Sequence, residues 1–599
     1  MNRLLHNYAF WIIAAFALVF ACSHRFAYVE GDDATSIAYH VLGRDASLQP
    51  PYSAYNGMMD KLLGFLPPSE PVLRVAALGI SSIAAVVFVL LAFKLVFDWL
   101  GQTSSTQRVT VALITLAACP ELFFLGMAYT PGLVAMCFML GAHLALRHAL
   151  RPGATAGGHR PAWGWFVASL ALFGFGASCR WETLTYGIVP VVDLWLGFSA
   201  QRLHKPSLRQ IAFGIVWGAL ALVAAFAFIG VSGYGPKAMI EFVKLSQKAS
   251  SGELRSGTGY GLRNVIGIYQ PFFTPAFLLL LLVGFCSALM KSRALLVKAM
   301  IGLLPLLPMI YNGAPKLLLA AFPGLALLVA VGIEKLWFSM RSGPRLQLAR
   351  VALPLLVLAP WLIGIRIFSP DTQWGPGFEV RTASVESQSI DAVAGKPRAI
   401  GIAKVTPVLG AGFAFSTPEG PRPFGGFGAV LLGGGWRNHL GEREAERRKV
   451  IEKALATKHP ILQDDGNAMV LIHLLDQGFA TRDKAPKSVL KPGGTTPWDE
   501  NGLCRRTFAH ADGRSVTLLQ LKGNSLLFKP DQLDKLVTGA KLGPVILHSG
   551  YSSTLAKLFK AAPQSAQALG PFSATVDLSQ LQKSIAAHAD ATAVLKPKS

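Results

Sequence analysis

Charge is scarce in this chain of 599 residues: 15% are Asp, Glu, Lys or Arg, against 52% hydrophobic. Soluble domains carry roughly a quarter charged residues, so an ordinary soluble globular protein is excluded and a polytopic membrane protein is the expected class. The mean hydropathy of +0.43 agrees. Acidic residues are scarcer still, 33 against 56 Lys/Arg. Cysteine is sparse as well. Cys22, Cys119, Cys137, Cys179 and Cys286 lie in or beside apolar runs, and Cys504 stands alone in the polar C-terminal part. No pair has metal-ligand spacing, and one cysteine cannot close a disulfide within that part. The glycine-rich stretch TPEGPRPFGGFGAVLLGGGW lacks both a Walker lysine and dinucleotide spacing, which argues against a nucleotide site.

What is present is a succession of long apolar runs up to about Phe368. A bilayer-spanning helix needs about 20 mostly apolar residues. Spans are expected near 8–24, 71–98, 108–127, 130–148, 162–180, 183–200, 210–231, 271–289, 299–313, 316–335 and 351–368, about eleven transmembrane helices. The start MNRLLHNYAFWIIAAFALVFACS has the shape of a signal peptide, yet the spans that follow favour a retained first helix. Loops RHALRPGATAGGHR, QRLHKPSLR, MKSRALLVK and EKLWFSMRSGPRLQLAR each hold at least three Lys/Arg and at most one acid. The positive-inside rule puts them and the N-terminus on the cytoplasmic side, and the polar C-terminal part outside.

Residues 369–599 carry 28 Lys/Arg and 20 Asp/Glu, a net +8 mixed as in a soluble domain. RAIGIAKV, AMVLIHLL and SVTLLQL read as strand-like or mixed apolar runs, GEREAERRKVIEKALATK as a helix, and PVILHSG followed by STLAKLFKAA as strand, turn and helix. The expected fold is thus a polytopic α-helical membrane domain, 1–368, with a C-terminal soluble α/β or α+β domain, 369–599, on the outer face.

The membrane part has 13 acids, and six of them fall in the first outer loop, 23–70: Glu30, Asp32, Asp33, Asp45, Asp60 and Glu70. TSIAYHVLG and NGMMDKLLGFL in that loop have helical apolar spacing and suit amphipathic helices on the membrane surface. A second long outer loop, 232–270, holds the amphipathic KAMIEFVKLSQKA and the Gly/Ser-rich SSGELRSGTGYG, a candidate lid. Glu30, Asp32 and Asp33 have a plain reading as helix caps, which accounts for one or two of the three. The functional reading is a general base at the membrane–water boundary, with a second carboxylate orienting an acceptor or holding a divalent cation, Mg or Mn.

DDATSIAYHVLGRDASLQPPYSAYNGMMDKLLGFLPPSEPVLRVAALGISSIAAVVFVLLAFKLV resembles the opening of the GT-C superfamily glycosyltransferases that use polyprenyl-phosphate sugars. These include protein O-mannosyltransferases, lipid A aminoarabinose transferases and arabinofuranosyltransferases. Asp32-Asp33 match the family's acidic pair, Tyr39 a downstream aromatic and Arg74 an Arg that introduces the second span. The resemblance is clear over about 28–100 and weaker to about 335. It implies a bacterial inner-membrane enzyme with its site on the periplasmic side. A single sugar would pass, with inversion, from a polyprenyl monophosphate to an envelope glycan, lipid or protein. Asp32, or Asp33 beside it, is the implied base, supported by Glu30.

The family often has a further acid between the third and fourth spans. Here Glu121 falls early and Pro131-Gly132 occupy the expected place. For the donor phosphate the resemblance points to Arg180 in CRWET and to Lys316, with Arg255 and Arg263 of the lid loop as further cations. Two readings of Arg180 stand: a bidentate phosphate ligand, or a pair with Glu182 that seals the turn. Lys316 has a plain reading as a snorkelling side chain. Asp193, deep in the sixth span and toward its inner end, is expected to have a structural partner. A multi-span transporter or lipid flippase is the alternative function, although no internal repeat supports it.

Overall fold

The structure is a computed structural model. It describes residues 8–23, 70–101, 104–118, 130–150, 162–197, 207–231, 275–307, 318–338, 352–353, 414–417, 420–423, 435–463, 469–481, 499–521, 533–548, 564–570 and 573–587, with isolated positions between 55 and 66. In the N-terminal part the helices are α1 (Tyr8–Ser23), α2 (Glu70–Leu100), α3 (Ser105–Ala118), α4 (Thr130–Ala149), α5 (Trp163–Cys179), α6 (Ile188–Trp195), α7 (Leu208–Val231), α8 (Pro275–Lys291), α9 (Arg293–Leu303) and α10 (Leu318–Ile333). Among the described residues, four stretches are long and apolar enough to cross a membrane: Gly79–Leu100, Pro131–Ala149, Leu208–Ile229 and Leu319–Trp337. Tyr8–Leu18, Trp163–Cys179 and Phe277–Met290 are shorter apolar helices.

Their burial differs in a way that locates the bundle's centre. The α10 window is 83% buried, whereas that of α7 is 22% buried, with Ile215, Val223 and Phe226 turned outward. An apolar helix mostly covered by protein is a core helix, and one whose apolar side chains face out suits lipid contact.

Close packing around α10 rests on glycine. A Cβ on Gly302 of α9 would lie 2.6 Å from Gly324 Cα, and one on Gly284 of α8 would run into the Leu328 carbonyl oxygen. The obstacles are backbone atoms, which cannot rotate away. Gly324→Val is therefore expected to destabilise the protein by the upper end of about 1–3 kcal/mol or more. Gly79→Ala meets nothing within 4 Å and should be neutral or stabilising by up to about 1 kcal/mol. Melting of both variants in one detergent checks the contrast.

Of the third expected span, residues beyond Ala118 lie outside the described residues; the ninth helix begins earlier than expected, at Arg293, and is followed by a 3-10 turn Leu304–Leu306. In place of a plain sixth span, a 3-10 segment Trp181–Gly187 leads into the two-turn α6. The eleventh span lies outside the described residues apart from 352–353, as do KAMIEFVKLSQKA and SSGELRSGTGYG of the second outer loop and TSIAYHVLG of the first.

The C-terminal part contains β1 (Ala414–Thr417) paired with β2 (Gly420–Pro423) and a seven-stranded mixed sheet of order β4-β5-β6-β3-β7-β9-β8. Its strands are β3 (Ile461–Gln463), β4 (Ala480–Thr481), β5 (Leu503–Ala509), β6 (Ser515–Leu521), β7 (Pro544–His548), β8 (Ala566–Gly570) and β9 (Ser573–Asp577). Central β3 is parallel to β6 and β7, and the other pairings are antiparallel. Strand alternation puts Ile461, Leu518 and Ile546 on one face and Leu462, Leu519 and Leu547 on the other, all buried. The second face packs with Leu536, Leu578 and Leu581, the latter two from α13 (Leu578–Ala587). The first is covered by α11 (Gly435–Thr457), whose Val450, Ile451 and Ala454 are buried. SVTLLQL is β6, and of the two readings left open for AMVLIHLL the structure takes the non-strand one. That run forms α12 (Met469–Asp476), with Val470, Leu471 and Leu474 inward at helical spacing. A short apolar run between turn signals fits either state, and packing against α11 and α2 decides for the helix.

Candidate functional site

Two polar centres are buried in the helical bundle, and α4 joins them. At one end α5 stops at Cys179, because Arg180 turns extended with φ −158° and ψ 107°. Its N–H still reaches the Gly176 carbonyl 3.0 Å away, which closes the last turn. The 3-10 segment starts at Trp181, and Thr183 Oγ1 donates to the Arg180 carbonyl at 2.6 Å. This turn carries Arg180 and Glu182 inward, 1% and 7% exposed. Their side chains pair, with Arg180 Nε 3.2 Å from Glu182 Oε2 and Nη2 donating to Oε1 at 3.4 Å.

The Arg180 guanidinium rests on the first turn of α4. A Cβ on Gly132 would lie 3.0 Å from Nη1, tighter than ordinary contact, so glycine makes the room. A helix N-terminus carries positive partial charge and exposed N–H groups. A guanidinium against it makes an electropositive corner, which the Glu182 carboxylate faces. Gly132, standing with Pro131 where an acid was expected, thus belongs to the seat of Arg180.

At the other end of α4, Asp193 is fully buried and collects donors from three other helices. Trp99 Nε1 of α2 donates at 3.0 Å and His143 Nε2 of α4 at 2.9 Å; Arg147 of α4 and Lys298 of α9 form ion pairs with the two oxygens. Lys298 Nζ also donates to the Asp193 carbonyl at 3.3 Å and to the Gly197 carbonyl at 2.6 Å, which satisfies the C-terminal turn of α6. Because the carboxylate is acceptor-only, His143 Nε2–H donates to it, and Nδ1 pairs with Tyr186 Oη at 3.0 Å. Arg147 Nε lies 3.9 Å from Asp98, itself paired with Lys94. From Gly132 to Arg147 along α4 is about 22 Å at 1.5 Å per residue, so the centres sit near opposite faces of an apolar slab of bilayer scale.

Asp193 has the structural partners expected of it. Sequence reasoning named none of them, though a signal existed: His143 and Arg147 stand four apart on an apolar helix, one stacked above the other. Of the sequence-predicted site residues, the structure brings together Arg180 and Glu182. Asp32, Asp33, Glu30, Tyr39, Glu121, Arg255, Arg263 and Lys316 lie outside the described residues, and of Arg74 the helical backbone alone is described. Among the described residues no group of three or more His, Cys, Asp or Glu is placed to hold a metal.

No family profile matches the chain, and no curated protein matches it. Two solved structures are similar. A crystal structure of ArnT from Cupriavidus metallidurans bound to undecaprenyl phosphate shares 14% identity at a TM-score of 0.45, covering 95% of this chain and 97% of that one. The structure of the same protein in the apo state shares 13% identity at 0.45, covering 96% and 98%.

Proposed function

We propose that this chain is a membrane glycosyltransferase that moves one sugar from a polyprenyl monophosphate to an acceptor hydroxyl at the outer membrane–water boundary. The observation that carries the reading is the electropositive corner made by Arg180 and the first turn of α4, at the opposite end of that helix from the Asp193 centre. The loops rich in Lys and Arg follow the Asp193 end, which makes the Arg180 end the outer one. Asp32 and Asp33 follow α1 on that same side in the sequence reading.

In the proposed reaction Asp32, with Asp33 beside it, takes the proton of the acceptor hydroxyl. The oxygen forms a bond to the anomeric carbon as the carbon–oxygen bond to phosphate breaks. Configuration inverts, and the polyprenyl monophosphate leaves with the electron pair. Arg180 meets the phosphate from the Gly132 side, with Lys316, Arg255 and Arg263 as further cations from the outer loops. Residues 1–368 form the membrane domain, and 369–599 stand on the outer side.

Binding of undecaprenyl phosphate to nanodisc-embedded protein, followed by native mass spectrometry, tests the corner. Arg180→Gln removes a charge-assisted hydrogen bond and is expected to weaken binding about 10- to 100-fold, with Arg180→Lys intermediate. Unchanged binding in a folded Arg180→Gln protein would leave Arg180 as a turn seal and take the phosphate elsewhere.

A further inference from the structure

Between the two buried centres the chain runs as a strap along α4. Arg180 rests on Gly132 in the first turn of that helix. Further along the strap Tyr186 Oη pairs with His143 Nδ1 at 3.0 Å, and at its far end Asp193 accepts from His143 Nε2 at 2.9 Å. Two side chains of the strap thus converge on the two nitrogens of one imidazole, which fixes the ring and their spacing together. Tyr186 is completely buried, and Glu182 and Thr183 nearly so. This part of the strap packs against α4, α5 and α10, and a Cβ on Gly187 would lie 2.8 Å from Phe173 Cζ of α5.

Trp181–Gly187 is 3-10 helix over seven residues, although 3-10 runs beyond three or four residues are uncommon and mark a hinge or strain. Its own hydroxyls follow that winding. Thr183 Oγ1 donates to the Arg180 carbonyl at 2.6 Å and Thr185 Oγ1 to the Glu182 carbonyl at 3.0 Å, each three residues back. Wound as α-helix, the same segment would be about 3.5 Å shorter. Asp193 is held by donors from α2, α4 and α9, so a change of length is taken up at the Arg180 end. A guanidinium displaced by that much no longer lies against Gly132.

We propose that Tyr186 is a positioning residue for Arg180: by tying the strap to His143 it keeps the segment in its 3-10 form and holds the guanidinium over the first turn of α4. It acts through Arg180 and not on a phosphate, since its side chain is completely buried and its hydroxyl is engaged by His143. The link to a phosphate rests on the transferase reading; the tie between Tyr186 and the seat of Arg180 does not. A donor that binds only the seated form loses affinity in proportion to the fraction of protein that stays seated.

Tyr186→Phe removes the hydroxyl and keeps the ring, and two measurements on nanodisc-embedded protein test the proposal. Without added undecaprenyl phosphate, peptides spanning 180–187 should exchange amide hydrogens about threefold to tenfold faster in Tyr186→Phe, as one lost hydrogen bond allows, with peptides of α7 unchanged. Undecaprenyl phosphate binding should weaken by about the same factor in the wild-type background and not at all in Arg180→Gln, because the tyrosine acts through the guanidinium. Ser169→Ala removes a buried hydroxyl that accepts from Trp217 of α7 at 2.9 Å. It should lower the melting temperature and leave both the exchange of 180–187 and the binding unchanged. Wild-type exchange across 180–187 in Tyr186→Phe, or equal weakening of binding in both backgrounds, would overturn the inference. Wild-type binding by Arg180→Gln would overturn the transferase reading of the corner alone, and the exchange result would still decide the role of Tyr186.

Discussion

Asp193→Asn should destabilise the protein by about 3–5 kcal/mol, the largest stability effect of any single change considered in the bundle. The size follows from what remains. Arg147 and Lys298 are 3% and 0% exposed and share this buried carboxylate, so an amide takes away the nearest countercharge of both cations, leaving Arg147 with Asp98 at 3.9 Å from its Nε. The amide oxygen would still accept from Trp99 or His143, which separates the charge effect from the hydrogen bonds. Removing a cation together with the anion should cost less than the two single changes combined. Asp193→Asn with Lys298→Met is therefore predicted to lose less melting temperature than the two single losses added together, because residues in one network are not additive. Melting curves of the single and double variants in the same nanodiscs decide it. A double variant at or below the sum of the singles would mean that Lys298 stabilises mainly through the α6 carbonyls.

The second large effect is catalytic. Asp32→Asn keeps the size and hydrogen-bonding shape of the side chain but cannot take a proton. General-base catalysis contributes about 10²–10⁴-fold, and turnover should fall by that factor while donor affinity stays within about twofold. Asp33→Asn should show the smaller loss of the two. Because Asp32 and Asp193 lie on opposite sides of the proposed topology, their variants should separate cleanly. One loses turnover with its melting temperature kept, and the other loses melting temperature first. Single-turnover transfer measured beside thermal melting reads both quantities.

The helical class was legible because length and apolarity suffice to mark a span, and α1, α2, α4, α5, α7, α8 and α10 fall where the apolar runs do. The break at Arg180 was not. Apolar residues continue from Thr183 through Leu196, and nothing in that composition announces seven residues of 3-10 helix. What sets that segment is tertiary: Tyr186 reaches His143, and Arg180 needs the bare backbone of Gly132. Asp193 was legible as an oddity, since a carboxylate in an apolar run demands an explanation. Its partners come from helices 46 to 105 residues away in sequence, a separation that no local pattern encodes. In the C-terminal part the alternation of β6 was readable, whereas the eight residues of α12 were too few for periodicity to decide between strand and helix.

The central claim is that the donor is a sugar on a polyprenyl monophosphate. Mass spectrometry of the lipids that co-purify with the Asp32→Asn protein from its native membrane tests this most directly, because loss of the base should leave the donor bound and unspent. The account predicts a polyprenyl monophosphate carrying one sugar, enriched over the wild-type preparation, and its mass would identify the sugar class. Ordinary phospholipids alone, with an unchanged glycan profile in cells that carry the variant, would contradict the account and favour a transporter.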